Sequence, residues 1–417
     1  MELKRVVVTG IGTINALGHN ISETWENMIK GVSGAGPITS FDPTHFKTKF
    51  ACEVKNYDPT NYFPKPEARK LDKFTQFAII AADEAVADSG LDLEKINKDR
   101  AGVIWASGIG GLDTFMEEVK NYVANGLVPK FNPFFIPKMI ADIASGHISI
   151  KYDLRGPNFA TVSACASSSN ALVDAFNYIR LGKADIFVTG GSEAAITEAG
   201  VAGFNAMRAI STRNEDPKTA SRPFDIGRDG FVMGDGGAAL ILEEYEHAIK
   251  RGAKIYAEFA GGGLSADAHH ITAPHPEGRG AKIVMKNALE DAEMTPDQID
   301  YINLHGTSTG LGDIAETMAV KEVFGEHAYK LSISSTKSMT GHLLGATGAL
   351  EAIAAILAIQ NGIIPPTINH FETDPKIDQK LDFTFNVAKK REVRAALSNT
   401  FGFGGHNVSV IFKKFSK

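Results

Sequence analysis

Short apolar runs bounded by glycine or polar residues recur along the chain. The first is Val6-Val7-Val8 leading into Thr9-Gly10, and others span residues 102–106, 186–189, 238–242, 255–259, 301–304, 331–333 and 408–412. Runs of this length and composition predict strands. Between them the apolar positions shift to helical spacing. After Cys165, the residues Ala171, Leu172, Ala175, Phe176 and Ile179 predict a largely buried helix. A second helix is expected to begin near His342 and run through Leu350, Ile353, Ile356 and Leu357 to a stop at Asn361-Gly362, where glycine suits a left-handed cap. Apolar residues surround it, which predicts a central position. The alternation of strands and helices indicates an α/β architecture.

Two segments repeat one device. Gly236-Gly237-Ala238-Ala239-Leu240 and Gly404-Gly405-His406-Asn407-Val408 are both glycine turns that feed an apolar strand. A duplicated fold follows as an expectation, with a seam near residue 255 dividing the chain into an N-terminal half, 1–254, and a C-terminal half, 255–417.

Composition narrows the classes. A chain of 417 residues with 43% hydrophobic content can bury a large core. The net charge of −6 provides no general attraction to nucleic acid or to an anionic membrane. Local basic groups remain, at Lys65, Arg69, Lys70 and Lys73 and at Arg208 and Arg213, either as a solvated face or as a docking patch for an acidic partner. The N-terminal residues carry no signal-peptide pattern, and the most apolar helical stretch, 352–359 between Glu351 and Gln360, is shorter than the roughly 20 residues of a membrane span. A cytoplasmic protein is expected. With only two cysteines, Cys52 and Cys165, a disulfide framework is not expected.

The candidate chemistry lies at three places. Cys165 sits among small residues between a strand and a helix, a position in which helix N–H groups favour a thiolate and can receive an oxyanion. Taken alone, a cysteine is more often a small buried hydrophobe, and the surrounding sequence reverses that reading here. His305 follows directly on an apolar strand. His342 stands at the expected start of the central helix, where the dipole disfavours the protonated ring and leaves a neutral hydrogen-bond donor. The two histidines lack metal-ligand spacing, and no metal or cofactor is expected.

These segments, with Ser335-Thr336-Lys337-Ser338-Met339-Thr340-Gly341-His342, His305-Gly306-Thr307-Ser308-Thr309 and Phe401-Gly402-Phe403-Gly404-Gly405, resemble the β-ketoacyl-acyl carrier protein synthases, specifically type II of bacterial fatty acid synthesis. The resemblance covers nearly the whole chain. It implies a thiolase-like α/β fold with duplicated halves in five αβαβα layers, a homodimer, and acyl carrier protein as the partner that presents both substrates. It implies Cys165 as the acyl-accepting nucleophile, His305 and His342 as the pair facing the malonyl group, and Lys337 as the residue that organises the site. Phe403 would be a gate whose N–H joins that of Cys165 in the oxyanion hole. Thr307, Thr309, Thr272 and Phe401 would line the substrate channel, Ile109 the acyl pocket, and Arg208, Lys65 and Arg69 would meet the carrier protein.

Rival readings differ at identifiable residues. A thiolase needs a second cysteine near the C-terminus, where this chain has Gly404-Gly405-His406-Asn407, and the type III priming synthases carry Asn where this chain has His342. A ketosynthase subunit of a polyketide or aryl-polyene pathway shares the main motifs and stays open. A non-catalytic chain-length partner characteristically lacks the nucleophile. The chain departs from the family pattern at Gly310 and Ala16, where proline is usual, and at Leu304, where alanine is usual. Gly310 is expected to loosen the loop after His305, and Leu304 to narrow the space behind it.

Overall fold

The computed structural model describes residues 3–416. The eight apolar runs become eight of the ten strands of one sheet, β1 (Val6–Asn15), β2 (Ala101–Ala106), β3 (Asn158–Thr161), β4 (Ile186–Glu193), β5 (Gly236–Glu244), β6 (Ala257–Ala266), β7 (Tyr301–Asn303), β8 (Ser332–Ser334), β9 (Ala395–Gly402) and β10 (His406–Lys413). Their order is β8-β7-β9-β10-β6-β1-β5-β4-β2-β3. Read outward from the middle, each half runs first, last, fourth, second, third in its own chain order. Each pairs its inner strands antiparallel and its outer strands parallel. The architecture is therefore duplicated. The two segments that share a glycine turn in the sequence, β5 and β10, hold equivalent places. The halves are joined by a short antiparallel ladder, Val6 to Val8 against Phe259 to Ala257.

Strands β3 and β9 were not legible as apolar runs. β3 is half-exposed at the sheet edge, and β9 breaks its apolar pattern with Ser398, Asn399 and Thr400, all buried. Expected boundaries also moved. The strand expected at 255–259 is β6, which continues through three glycines to Ala266. Gly261 and Gly263 lie where helix backbone passes: an added Cβ would come within 2.5 Å of the Ala292 nitrogen and 2.3 Å of the Val284 carbonyl oxygen, respectively.

Five helices position the site: α1 (Lys73–Ser89), α2 (Ser167–Arg180), α3 (Arg279–Asp291), α4 (Gly312–Phe324) and α5 (Thr347–Asn361). α1 covers β1, β4 and β5, while α3 covers β6 and β10 and packs on α4. α2 and α5 pack against each other and against strands of both halves, so they form the interior between them. Burial on all sides explains why α5 reads as apolar all round. The helical run 344–361 is long and apolar enough to cross a membrane, but 89% of it is buried inside the protein, and it is a core helix. Glu351, expected as a polar boundary of this stretch, is itself buried within α5. Gly362 supplies the left-handed C-cap with φ of 61°.

Candidate active site

After β3 the chain passes through a 3-10 turn, Ala164–Ala166, into α2, and Cys165 is the middle residue of that turn. Ala164 has φ of 52°, a left-handed conformation that costs an L-residue free energy and is held by its surroundings. Gly402, at the end of β9, lies against this turn. A Cβ on it would sit 2.7 Å from the Ser163 carbonyl oxygen and 3.1 Å from the Cys165 nitrogen, so only glycine allows the approach. The backbone N–H groups of Phe403 and of Cys165 itself lie near enough to the sulfur to favour its thiolate. Two N–H groups at one sulfur can hold the oxygen of a thioester formed there.

The position at a helix start predicted a thiolate, but burial dominates. It pushes the Cys165 thiol up to about 11, against the pull of the Phe403 N–H and the charge of Lys337. Cys52 is buried in a different cluster, and its thiol is pushed up to about 12.

His305 follows β7 and Leu304. Glu316 of α4 accepts the backbone N–H groups of His305 and Gly306, each at 2.8 Å, which fixes the strand end and the ring it carries. His305 Nδ1 is buried without a protein hydrogen-bond partner. The His342 ring stands edge-on to it, with centroids 5.4 Å apart. α5 begins at Thr347, not at His342, because a second 3-10 turn, Leu344–Ala346, intervenes. Thr347 Oγ1 accepts the Leu343 N–H at 2.9 Å and lies 3.1 Å from His342 Nδ1. The hydroxyl can meet Nδ1 with its proton or with its second lone pair, according to the ring tautomer. In the tautomer that receives the Thr347 proton, the ring hydrogen stands on Nε2, the nitrogen not engaged by Thr347.

Both imidazoles are held well below the ordinary histidine range. Burial is the main cause for each, the Lys337 charge is the second, and His342 adds to the effect on His305. They are neutral at physiological pH through desolvation and a neighbouring cation, where the sequence suggested a helix dipole. Lys337 is buried in the short helix Lys337–Thr340 and forms an ion pair with Glu351. Burial pushes Glu351 up to about 7.

These groups share one cavity of about 650 Å³. Its lining includes Cys165, His305, His342, Phe403, Phe401, Ile109, Thr272, Thr307, Thr309 and Arg208, and its exposed surface is mainly apolar. Lys337 lies behind the wall rather than on it. Lys65 and Arg69 do not join the cavity; they are exposed on and just after the short helix Lys65–Ala68. Leu304 does not narrow the space behind His305, because its side chain is buried in the core of the C-terminal half. Nor is the loop at Gly310 left loose: Arg228 donates to the carbonyl oxygens of Thr309 and Gly310 and pairs with Asp374.

A neutral imidazole pair, a thiol with two N–H groups at its sulfur, and an apolar cavity joining them can bind a thioester, accept its acyl group and stabilise an enolate. Family models agree over most of the chain, with the β-ketoacyl synthase N-terminal domain matching residues 3–248 and the C-terminal domain residues 256–371. The chain belongs to the β-ketoacyl synthase family. It is a condensing enzyme, an acyltransferase of the β-ketoacyl-acyl carrier protein synthase type. It is 47% identical to a 3-oxoacyl-acyl-carrier-protein synthase 2 of Synechocystis, over 100% of this chain and 99% of that one. A synthase of the same name from Staphylococcus aureus is 48% identical, over 99% of each chain. Among solved structures, a ketosynthase with chain length factor for ishigamide superposes with a TM-score of 0.92 at 33% identity, covering 99% of this chain and 100% of that one. A type II PKS acyl-carrier protein in complex with its ketosynthase gives 0.93 at 33% identity and the same coverage.

Sequence reasoning missed Glu316, Glu351 and Thr347. The first two carried a signal, since each is a carboxylate within an otherwise apolar stretch of helix, and a buried charge needs a partner. Thr347 carried none.

Proposed function

We propose that this β-ketoacyl synthase carries out a decarboxylative Claisen condensation on carrier-bound thioesters. The Cys165 sulfur attacks the acyl carbonyl carbon, and the C–S bond to the first carrier breaks. The carrier thiol leaves with the proton that the cysteine gave up. Malonyl thioester then enters. Its C–C bond to the carboxylate breaks, carbon dioxide leaves, and the enolate oxygen takes hydrogen bonds from neutral His305 and His342. The carbanion attacks the acyl-Cys165 carbonyl, whose oxygen sits against the N–H groups of Cys165 and Phe403. Collapse breaks the bond to the cysteine sulfur, which leaves as a thiolate and takes a proton from solvent, and a β-ketoacyl thioester two carbons longer is released. The observation that carries this reading is the meeting of the thiol and two uncharged imidazoles in one apolar cavity.

Two pathways fit the reaction. A ketosynthase with its type II PKS acyl-carrier protein and two ketosynthases with chain length factors share the fold along nearly the full chain, which supports a ketosynthase subunit of a polyketide or aryl-polyene pathway. The names of the curated relatives support fatty acid elongation. Incubating purified protein with acyl and malonyl carrier-protein thioesters, followed by mass spectrometry of the carrier-bound product, tests both. A single two-carbon extension supports elongation, repeated extension without reduction supports the polyketide reading, and no extension of any acyl group overturns the reaction itself.

The proposed partners are an acidic acyl carrier protein and a second copy of this chain. Arg208 at the cavity mouth, with the exposed Lys65 and Arg69, offers positive charge to the carrier. For the second copy, the outer edge of β3 has no paired strand among the described residues. Beside the cavity, the helix Leu112–Ala124 also presents Phe115, Val119 and Val123, one turn apart, to solvent. Sedimentation should give a dimer. The division into halves at about residue 255, the five-layer order and a cytoplasmic location belong to the same proposal.

A further inference from the structure

Glu193, the last residue of β4, is completely buried and does not line the cavity, though its charge adds to the rise of the Cys165 thiol. Four donors converge on its carboxylate. Oε1 accepts from Ser107 Oγ at 2.8 Å and from the Ile109 N–H at 3.2 Å; Oε2 accepts from the Gly108 N–H at 2.7 Å and the Gly345 N–H at 2.9 Å. Three of these are backbone N–H groups, which cannot reverse to become acceptors, so the pocket is built for the ionised acid. Burial raises the carboxyl pKa, and the four hydrogen bonds oppose it.

The donors come from two separate segments. Ser107, Gly108 and Ile109 form the turn after β2, and Gly345 lies in the 3-10 turn before α5. The two turns touch across glycines: a Cβ on Gly345 would lie 2.2 Å from the Gly108 nitrogen, and one on Gly108 would lie 2.8 Å from Glu193 Oε2. Ser107 Oγ also accepts the Gly110 N–H at 2.9 Å, which extends the hold along the turn. Ile109 is the member of this turn whose side chain faces the cavity, and it is 43% exposed.

We propose that Glu193 is a positioning residue that fixes the backbone of Ile109, and through it sets the length of acyl chain the cavity accepts. The inference rests on the condensing reaction proposed above. It predicts a selective consequence for Glu193→Gln. The amide oxygen can still accept from Gly108 and Gly345, and its NH2 can donate to Ser107 Oγ, but Ile109 then faces a donor and loses its acceptor. Only the Ile109 end is released.

The test measures the specificity constant of Glu193→Gln across a series of acyl carrier-protein thioesters from short to long. It also measures carbon dioxide release from malonyl carrier protein in the Glu193→Gln, Cys165→Gln double variant. The long-to-short ratio should rise by about tenfold, the typical effect of losing one hydrogen bond to a charged group. The change should fall in the apparent KM for long chains, with decarboxylation within about twofold of Cys165→Gln alone. An unchanged chain-length profile in folded protein overturns the proposal. So does a uniform loss for all chain lengths accompanied by lost decarboxylation, which would mark a merely structural role. If Glu193→Gln does not fold, Ser107→Ala removes one donor and keeps the backbone donors, and the ratio should rise about threefold; no change then overturns the proposal equally. A wild type that condenses no acyl thioester at all sinks the condensing reading instead, and is told apart by that control.

Discussion

The two halves each contain the same strained turn, and they use it differently. In the N-terminal half, Ala164 takes φ of 52°, the Ser163 N–H donates to Ser167 Oγ at 2.9 Å, and α2 follows. In the C-terminal half, Leu344 takes φ of 47°, the Leu343 N–H donates to Thr347 Oγ1 at 2.9 Å, and α5 follows. The middle residue of the turn is Cys165 in one and Gly345 in the other. The hydroxyls also meet different partners: Ser167 donates to the Ala164 carbonyl oxygen at 2.6 Å, while Thr347 Oγ1 lies 3.1 Å from His342 Nδ1. One backbone device thus carries the proposed nucleophile in the first half and stands against the proposed hydrogen-bond donor, His342, in the second. Duplication supplied the frame, and single side chains divided the work.

That division is most sharply broken at its extremes. Replacing Cys165 with Gln, which roughly fills the space of an acylated cysteine, should abolish condensation and leave decarboxylation of malonyl carrier protein active. Replacing His305 or His342 with Ala should instead lower carbon dioxide release by about 100-fold or more. Should Cys165→Gln lose decarboxylation as completely as the histidine variants, the thiol takes part in both steps and the comparison fails.

Lys337→Ala attacks the C-terminal half from behind. It leaves Glu351 buried without its cation, and a cost of about 3–5 kcal/mol in denaturant unfolding is expected, with both half-reactions impaired. Unchanged stability would show that the pair is not holding the wall.

Titration separates the halves next. With the thiol near 11, alkylation of Cys165 should speed up about tenfold per pH unit through neutrality, as the thiolate fraction grows. The histidines are already neutral, being depressed below their ordinary values, so decarboxylation by Cys165→Gln should stay flat down to about pH 6, and would fall only where the folded-state imidazoles take up protons. A rise in decarboxylation with an apparent pKa near the ordinary histidine value would contradict this.

The equivalent hydroxyls offer a finer cut. Thr347→Val keeps the shape and removes the proton aimed at Nδ1; decarboxylation should drop about tenfold, and Thr347→Ser should restore it. Equal rates in Val and Ser variants would deny Thr347 any role in orienting His342. The smallest effect is expected at the rim of the N-terminal half, where Arg208→Glu should raise the apparent KM for carrier-bound substrate about fivefold and leave a small thioester mimic nearly unaffected. A similar change for both substrates would remove Arg208 from carrier docking.

By itself, the sequence determined the α/β alternation, the duplicated glycine-fed strands and the central helix with its cap at Gly362, and it named Cys165, His305, His342 and Lys337 as the candidates for the site. Each of these is written locally, in apolar period, turn chemistry or a short motif. The tertiary structure decided the rest. β9 was hidden because its buried Ser398, Asn399 and Thr400 lie between β7 and β10, where Asn399 donates to Glu316 and Thr400 meets Ser169 of α2, while Ser398 Oγ is buried without a partner. The family resemblance made Phe403 a gate, and Gly402, Gly404 and Gly405 flank it. The structure separates those glycines: Gly404 and Gly405 need left-handed backbone, while Gly402 is required because Cys165 passes too close for a side chain. The protonation states were not local either. A helix start argued for a thiolate at Cys165, but the charge state of a buried group depends on how much water the whole fold removes and which charges it brings near. That sum exists only once both halves have closed around the cavity.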